Sequence, residues 1–129
     1  GGPAGRASRA TRRRLSPRWS MAIPTRLTPA GMAALPLPAG RLSTQALDSG
    51  EVELRYYAPR GVDTQTPHER DELYFVIAGR GIFQRADESL PFAPGDVLFA
   101  AAGEEHRFLE FAPDFATWVL FYGPLKTRE

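Results

Sequence analysis

The chain has 129 residues, of which 43% are hydrophobic and 11% aromatic, so it is long enough for one compact domain with an apolar core. It contains no cysteine, which excludes a disulfide framework, a zinc ribbon and a thiol nucleophile. No apolar run approaches the length of a membrane span, and no signal-peptide core follows the basic start. We therefore expect a cytoplasmic protein.

Residues 1–20 differ in composition from the rest of the chain. They contain no acidic side chain and six arginines: Arg6, Arg9, Arg12, Arg13, Arg14 and Arg18. Such a segment, rich in Gly, Ala, Ser and Pro, cannot bury enough apolar surface to offset the entropy of ordering, and we predict a disordered arm. It is either a nucleic-acid-binding arm or sequence upstream of a natural start at Met21, and the change in composition there favours the second interpretation. We therefore do not expect nucleic acid as a partner.

Residues 21–40 are predicted to form a helical or extended lead, and residues 41–129 an all-β domain. Thr28 is a candidate N-cap, followed by Pro29 at the first helical position, and "LPLPAG" reads as extended chain ending in a turn. Beyond it, short strand patterns alternate with Gly and Pro turns and no helical period appears. This spacing predicts a sandwich or small barrel of the jelly-roll kind, with strands at 41–47, 51–57, 72–78, 81–85, 96–100, 106–111 and 115–122.

The stretch "TPHERDELYFVIAGRG", residues 66–81, combines a histidine and acidic residues with a strand pattern. Strand alternation places Glu72 on one face with Tyr74, Val76 and Ala78, and Leu73, Phe75 and Ile77 on the other. Both faces are largely apolar, so we expect this strand to be covered on both sides. A carboxylate in such surroundings needs a charged partner. His68 lies four residues earlier, and the only other histidine, His106, is expected to share a strand face with Phe108 and Glu110.

Together with "PGDVLFAAAGEEHRF", this stretch resembles the two signature motifs of the cupin superfamily of small jelly-roll barrels. In the first motif, His68 matches the second of two histidines, Glu72 the glutamate and Gly79 the glycine. In the second motif, Gly95, Gly103 and His106 are in register, with Ala101 where proline is usual and Glu110 where asparagine is usual. The resemblance extends over residues 40–123 and implies a cupin-like double-stranded β-helix.

The position of the family's first histidine is occupied by Thr66. The resemblance therefore implies a mononuclear site of two histidines and one carboxylate: His68, Glu72 and His106. Such a donor set suits a divalent transition metal, with Fe, Zn, Mn and Ni all open, and is typical of non-haem Fe(II) sites. Gln65 or Thr66 is a candidate fourth ligand, and Asp71 competes with Glu72 for the carboxylate role.

Function is predicted only in outline. We expect a metal-binding protein that binds or acts on a small molecule inside the barrel, as a dioxygenase or an isomerase, and the alternative is a metal-free module that binds a small ligand. The resemblance also implies a homodimer. Arg55 and Arg107 are either holders of an anionic substrate or solvated strand residues. The aromatic residues are candidates for either the pocket or the core: Tyr74, Phe99, Phe108, Trp118, Phe121 and Tyr122.

Overall fold

The computed structural model describes residues 24–126, so the predicted arm at residues 1–20 lies outside the described residues. The described part has one short helix and eight strands. They are α1 (Pro29–Ala33), β1 (Thr44–Asp48), β2 (Val52–Tyr57), β3 (Asp71–Ala78), β4 (Gly81–Arg85), β5 (Glu88–Phe92), β6 (Val97–Ala100), β7 (His106–Leu109) and β8 (Ala116–Tyr122).

Helix α1 begins as the sequence predicts. Thr28 is its N-cap, with an extended backbone and a side-chain oxygen that accepts a hydrogen bond from the Gly31 backbone N–H at 3.0 Å. Pro29 occupies the first helical position, where its missing N–H leaves no hydrogen bond unmade. Met32 is buried, and the helix lies against β2.

The strands form two antiparallel sheets. The larger sheet has the order β1-β2-β8-β3-β6, and the smaller one the order β5-β4-β7. Their inner faces together bury one apolar core, which confirms the all-β prediction. The core consists of Tyr57, Tyr74, Val76, Phe83, Phe92, Ala100, Phe108, Phe115, Val119 and Phe121.

Two strand predictions need correction. Strand β5 was not predicted, because Glu88 and Pro91 are poor strand formers; it lies at a sheet edge and pairs only with β4, where proline is tolerated. Strand β7 ends at Leu109, two residues early. Glu110 has a φ of 51°, a left-handed conformation that a strand cannot contain, so it does not share the face of His106.

The two faces of β3 are not covered equally. Glu72, Tyr74 and Val76 are buried on the inner face, as the alternation predicts, but the outer face remains partly open. Phe75 is 37% exposed, and Val97 and Phe99 of the neighbouring β6 are 56% and 37% exposed. The expectation that both faces of β3 are covered is therefore wrong within the single chain. We call Phe75, Val97 and Phe99 the outer patch.

Gly79 is the position in the β3–β4 turn where a side chain is least tolerated. Its φ is 84°, and a Cβ built there lies 2.5 Å from the Phe115 Cα. We expect Gly79→Ala to lower the free energy of unfolding by about 3 kcal/mol or more, through backbone strain and overpacking. Gly95→Ala is the matched control. The Gly95 φ is also positive, at 94°, but no neighbouring atom lies within 4 Å of a Cβ built there. We therefore expect the free energy of unfolding to fall by only about 1–2 kcal/mol. Equal losses in urea unfolding would contradict this account.

Candidate metal centre

Three structural elements bring the predicted ligand residues together. Glu72 lies on the inner face of β3, His106 opens β7 on the facing sheet, and His68 lies on the loop between β2 and β3. One donor atom from each side chain lies within 4.8 Å of the other two. The Glu72 and His106 side chains are fully buried, and His68 is partly buried. The structure thus assembles a cluster from residues that are up to 38 positions apart in the sequence.

The loop that carries His68 is held at several points. The His68 carbonyl accepts a hydrogen bond of 2.7 Å from the Gly103 N–H, in the turn that precedes β7. Its ring packs edge-on against Phe121, with centroids 4.8 Å apart. One residue later, the Glu69 carbonyl accepts a hydrogen bond from the Lys126 N–H. Backbone contacts therefore tie His68 to the same turn that positions His106.

The buried pair of Glu72 and His106 has an unusual feature. The His106 Nδ1 lies 2.9 Å from the Glu104 carbonyl, which can only accept, so Nδ1 carries the proton and the neutral ring has its lone pair on Nε2. That Nε2 lies 3.4 Å from the Glu72 Oε2. This separation is long for a charge-assisted hydrogen bond, which is about 2.7–2.9 Å. Neither atom has another hydrogen-bond partner within the described residues, and both are buried. Two atoms that face each other in this way are satisfied either by a proton on the His106 Nε2 or by a metal cation between them.

The cluster fits a first-row divalent ion by donor type and by spacing. Imidazole nitrogens and a carboxylate oxygen are ligands that such ions accept. Ion–ligand distances of about 2.1 Å place two donor atoms about 3.0 Å apart at a right angle and about 3.4 Å apart at a tetrahedral angle. The separation between the Glu72 and His106 donor atoms lies at the upper of these values. Glu72 and His106 are thus already near the spacing that one shared ion requires, whereas the cluster as a whole spans up to 4.8 Å, so His68 would move closer on binding.

The two histidines differ in their protonation behaviour. Burial lowers the pKa of His68, and the negative charge of Glu72 offsets this only in part, so His68 keeps its lone pair at neutral pH. Burial also acts to lower the pKa of His106. There the adjacent Glu72 carboxylate more than offsets burial, and the pKa of His106 is raised. An ion at this site would therefore compete with a proton mainly at His106.

Asp71 is not an alternative to Glu72. Its side chain points away from the histidines and accepts hydrogen bonds from the Ala102 N–H at 2.9 Å and from the Lys126 ammonium at 2.7 Å. The Lys126 hydrogen bond, followed by the one from Ala102, lowers the pKa of Asp71. Because neighbouring strand residues face opposite sides, only one of Asp71 and Glu72 can face the interior.

The two candidates for a fourth ligand are also separated by the structure. Thr66 is exposed, whereas Gln65 is buried and directed towards the cluster. The Gln65 Oε1 lies 3.1 Å from the Tyr74 hydroxyl, and that hydroxyl donates a hydrogen bond of 2.5 Å to the Glu72 Oε1. The position that matches the family's first histidine therefore lies at the surface, on a cleft that Gln65 and His106 also line.

Asp63 is the residue that the sequence reasoning missed. It is buried, and its carboxylate accepts hydrogen bonds from the Tyr57 hydroxyl, the Phe108 N–H, and both the backbone and side-chain N–H groups of Gln65. It thereby attaches the loop of His68 to β7. The local signal was weak, since an Asp followed two residues later by an N–H donor is a common Asx turn. The long-range bond to Phe108 has no signal in the sequence.

Two clefts adjoin the cluster. One, of about 610 Å³, is lined by His68, Phe121 and Gln65; the other, of about 450 Å³, is lined by His106, Arg107 and Gln65. Among the aromatic candidates, Phe121 contributes to the larger cleft, while Tyr74 and Phe108 belong to the buried core. Phe99 is exposed on the outer patch, and Trp118 and Tyr122 are half-buried.

Arg55 is not a solvated strand residue. It is buried beside the larger cleft, where its guanidinium donates to the Glu53 carboxylate at 2.6 Å and to the Ser43 hydroxyl and carbonyl at 2.6 and 2.8 Å. Its charge is therefore paired with Glu53 before any ligand arrives. Arg107 lines the smaller cleft and is exposed, so it is the more accessible of the two cations.

Comparisons with known proteins bear on the fold and the family. The family model described as Cupin_2, cupin domain, matches residues 53–113. An uncharacterized protein of Streptomyces coelicolor is 37% identical over 62 residues, which is 48% of this chain and 59% of that relative's length. The chain thus spans less than two thirds of the relative that it matches.

Solved structures with the same fold include a cupin superfamily protein from Desulfitobacterium hafniense and a cupin 2 conserved barrel domain protein from Salinispora arenicola. The first is 17% identical with a TM-score of 0.58 and covers 78% of this chain and 94% of that one. The second is 18% identical with a TM-score of 0.59 and covers 78% and 90%. At these identities the likeness shows the fold alone. With the family match, it confirms the predicted resemblance and the predicted fold class.

Replacing Asp63 tests whether it holds the His68 loop. Asp63→Asn exchanges one acceptor oxygen for an N–H₂ group that faces donors, so we expect the free energy of unfolding to fall by about 3 kcal/mol or more. Asp114→Asn, at an exposed position, is the control and should change it by less than about 0.5 kcal/mol. Chemical denaturation of both variants would measure the difference. A loss at Asp63 no larger than that of the control would contradict this role.

Proposed function

We propose that this chain, whose residues 53–113 match the cupin domain model, binds one divalent transition metal through His68, Glu72 and His106. We further propose that it binds or transforms a small molecule in the cleft beside that ion. In this proposal the ion's remaining positions are free for water and ligand. The domain boundaries remain part of the proposal, with a lead over residues 21–40 and a barrel over residues 41–129.

The facing pair of buried acceptor atoms is the observation that carries the proposal. The Glu72 Oε2 and the His106 Nε2 lie 3.4 Å apart, and neither has a hydrogen-bond partner in the part of the chain that the structure describes. A buried, unpaired carboxylate oxygen is costly, and buried charges in proteins are usually paired or coordinate metals. His68 completes the donor set from the third side. Apolar side chains at these buried positions would have needed no charged partner.

A bound ion of this class supplies Lewis acidity or, if it is redox-active, a site for dioxygen chemistry. The side chains of the domain contribute binding and orientation. His68 and Phe121 form one wall of the larger cleft, and their ring contact fixes the direction of the imidazole. The core aromatic residues Tyr74, Phe83 and Phe108 enclose the buried side of the cluster and exclude water from it.

The alternative function is a non-catalytic module that binds a small ligand without metal. One observation favours it: the first histidine position of the family motif is Thr66, which is exposed, so the histidine set is smaller than the motif provides. Under this alternative, Glu72 and a protonated His106 form a buried ion pair and the clefts hold the ligand. Metal content separates the two functions.

The chain has no cysteine to oxidise, and the cytoplasm remains its proposed compartment.

We expect the purified protein to hold one divalent ion per chain. His106→Ala should abolish metal retention, and Glu72→Gln, which keeps the shape but removes the charge, should weaken binding by about a hundredfold or more. Elemental analysis and metal titration by calorimetry would measure both effects.

Asp71→Asn is the matched control for Glu72→Gln. It removes the neighbouring carboxylate of the same strand, which faces Lys126 and not the histidines, so metal binding should be unchanged. The proposed metal site would be overturned by a wild-type protein that takes up no transition metal. It would also be overturned if the Asp71 and Glu72 variants lost equal affinity.

We also propose a homodimer, as the resemblance implies. The outer patch exposes three large apolar side chains on adjacent strands, and β6 lies at the edge of its sheet. Contiguous apolar patches of this kind mark association surfaces. Leu35 and Leu37 of the lead are also half-exposed and are candidates to cover the partner or the sheet edge.

Light scattering should give twice the chain mass of 14.2 kDa at micromolar concentration. A Val97→Glu, Phe99→Glu double variant should give a monomer, because the introduced charges would have to be buried at the interface. A Val62→Glu, Leu125→Glu double variant, which adds the same two charges at exposed apolar positions outside the outer patch, is the control and should leave the mass unchanged. A monomeric wild-type protein would exclude the dimer.

A further inference from the structure

Among residues 24–126, Tyr74 provides the only hydrogen bond to the Glu72 carboxylate. Both side chains are fully buried on the inner face of β3, two positions apart. The Tyr74 hydroxyl donates to the Glu72 Oε1 at 2.5 Å, which is the short distance expected for a hydroxyl bound to an ionised oxygen. The other oxygen, Oε2, receives no hydrogen bond and faces the His106 Nε2. The two oxygens of one carboxylate are therefore in different surroundings.

The Tyr74 hydroxyl has one proton and two acceptors within reach. The second acceptor is the Gln65 Oε1, at 3.1 Å. The orientation of this amide is set from its other end, because the Gln65 Nε2 donates to the Asp63 Oδ2 at 2.8 Å and a carboxylate can only accept. A charged acceptor at 2.5 Å outcompetes a neutral one at 3.1 Å, so the phenol proton lies on the Glu72 side.

We propose that Tyr74 is a positioning residue of the metal centre, which holds the Glu72 Oε1 and so restricts this carboxylate to binding the ion through Oε2 alone. This inference rests on the proposed metal binding. Without the phenol, the carboxylate would be free to turn about its last torsion and offer both oxygens to the ion. Restriction to one oxygen leaves a further position on the ion open for the small molecule.

The test compares Tyr74→Phe with Tyr57→Phe in protein loaded with Co²⁺. Both variants remove one phenol hydroxyl from a buried tyrosine that donates to a carboxylate, but Tyr57 donates to Asp63 and makes no hydrogen bond to Glu72. Tyr74→Phe should weaken Co²⁺ binding by about tenfold or more, because a group that orients a ligand is lost. Its visible absorption should also become weaker as the ion gains a ligand oxygen. Tyr57→Phe should keep the wild-type spectrum, because Asp63 retains the three hydrogen bonds from Gln65 and Phe108 that attach the His68 loop to β7.

A second measurement does not depend on either variant folding. Infrared spectra of wild-type protein with and without the ion report the splitting between the symmetric and antisymmetric carboxylate stretches, which is wide for a carboxylate bound through one oxygen. A metal-dependent band whose splitting is clearly smaller than that of a free carboxylate, as when both oxygens bind the ion, would overturn the proposal. So would a Tyr74→Phe protein that matches Tyr57→Phe in both affinity and spectrum while wild type binds Co²⁺. If wild type binds no Co²⁺, the metal site itself is wrong and this inference falls with it.

Discussion

The buried carboxylate of Glu72 is the constraint on which the interior of this domain depends. A charge at that depth costs several kcal/mol unless it is matched, and the surrounding core is mostly aromatic. The structure matches one oxygen with the Tyr74 hydroxyl and leaves the other facing the His106 lone pair. The same arrangement that would weaken an apolar core would become favourable under the proposed metal binding, in which a cation joins Glu72 to the two histidines.

Asp63 shows how the same fold treats a carboxylate that has only a structural task. Its oxygens accept four hydrogen bonds from three residues, so nothing remains for a ligand to satisfy. Glu72 is buried to the same degree but keeps an oxygen without a donor. The difference lies in the count of donors around each group, and not in burial. That count separates a carboxylate that holds a loop from one that is available to an ion.

The alternation of residues along the sequence was sufficient to predict most of the strands. It also placed Glu72 on the inner face of β3, because successive strand residues face opposite sides of the sheet. Both histidines could be linked to Glu72 only through the resemblance, since they come from other elements. What the sequence could not predict depends on distant contacts. The edge strand with Pro91 forms because β4 is beside it, Asp63 is satisfied by β7, and Arg55 is buried because Ser43 and Glu53 meet it there.

Long-range contacts also decide what borders the centre where the family's first histidine is missing. Gln65 is turned inward because its backbone and side-chain N–H groups both bind Asp63. Thr66 is exposed and lines the smaller cleft together with Gln65 and His106. Gln65 lines both clefts, whereas His68 borders one and His106 the other. The side of the cluster left without a histidine is thus bordered by a neutral amide, and a small molecule can approach it from either cleft.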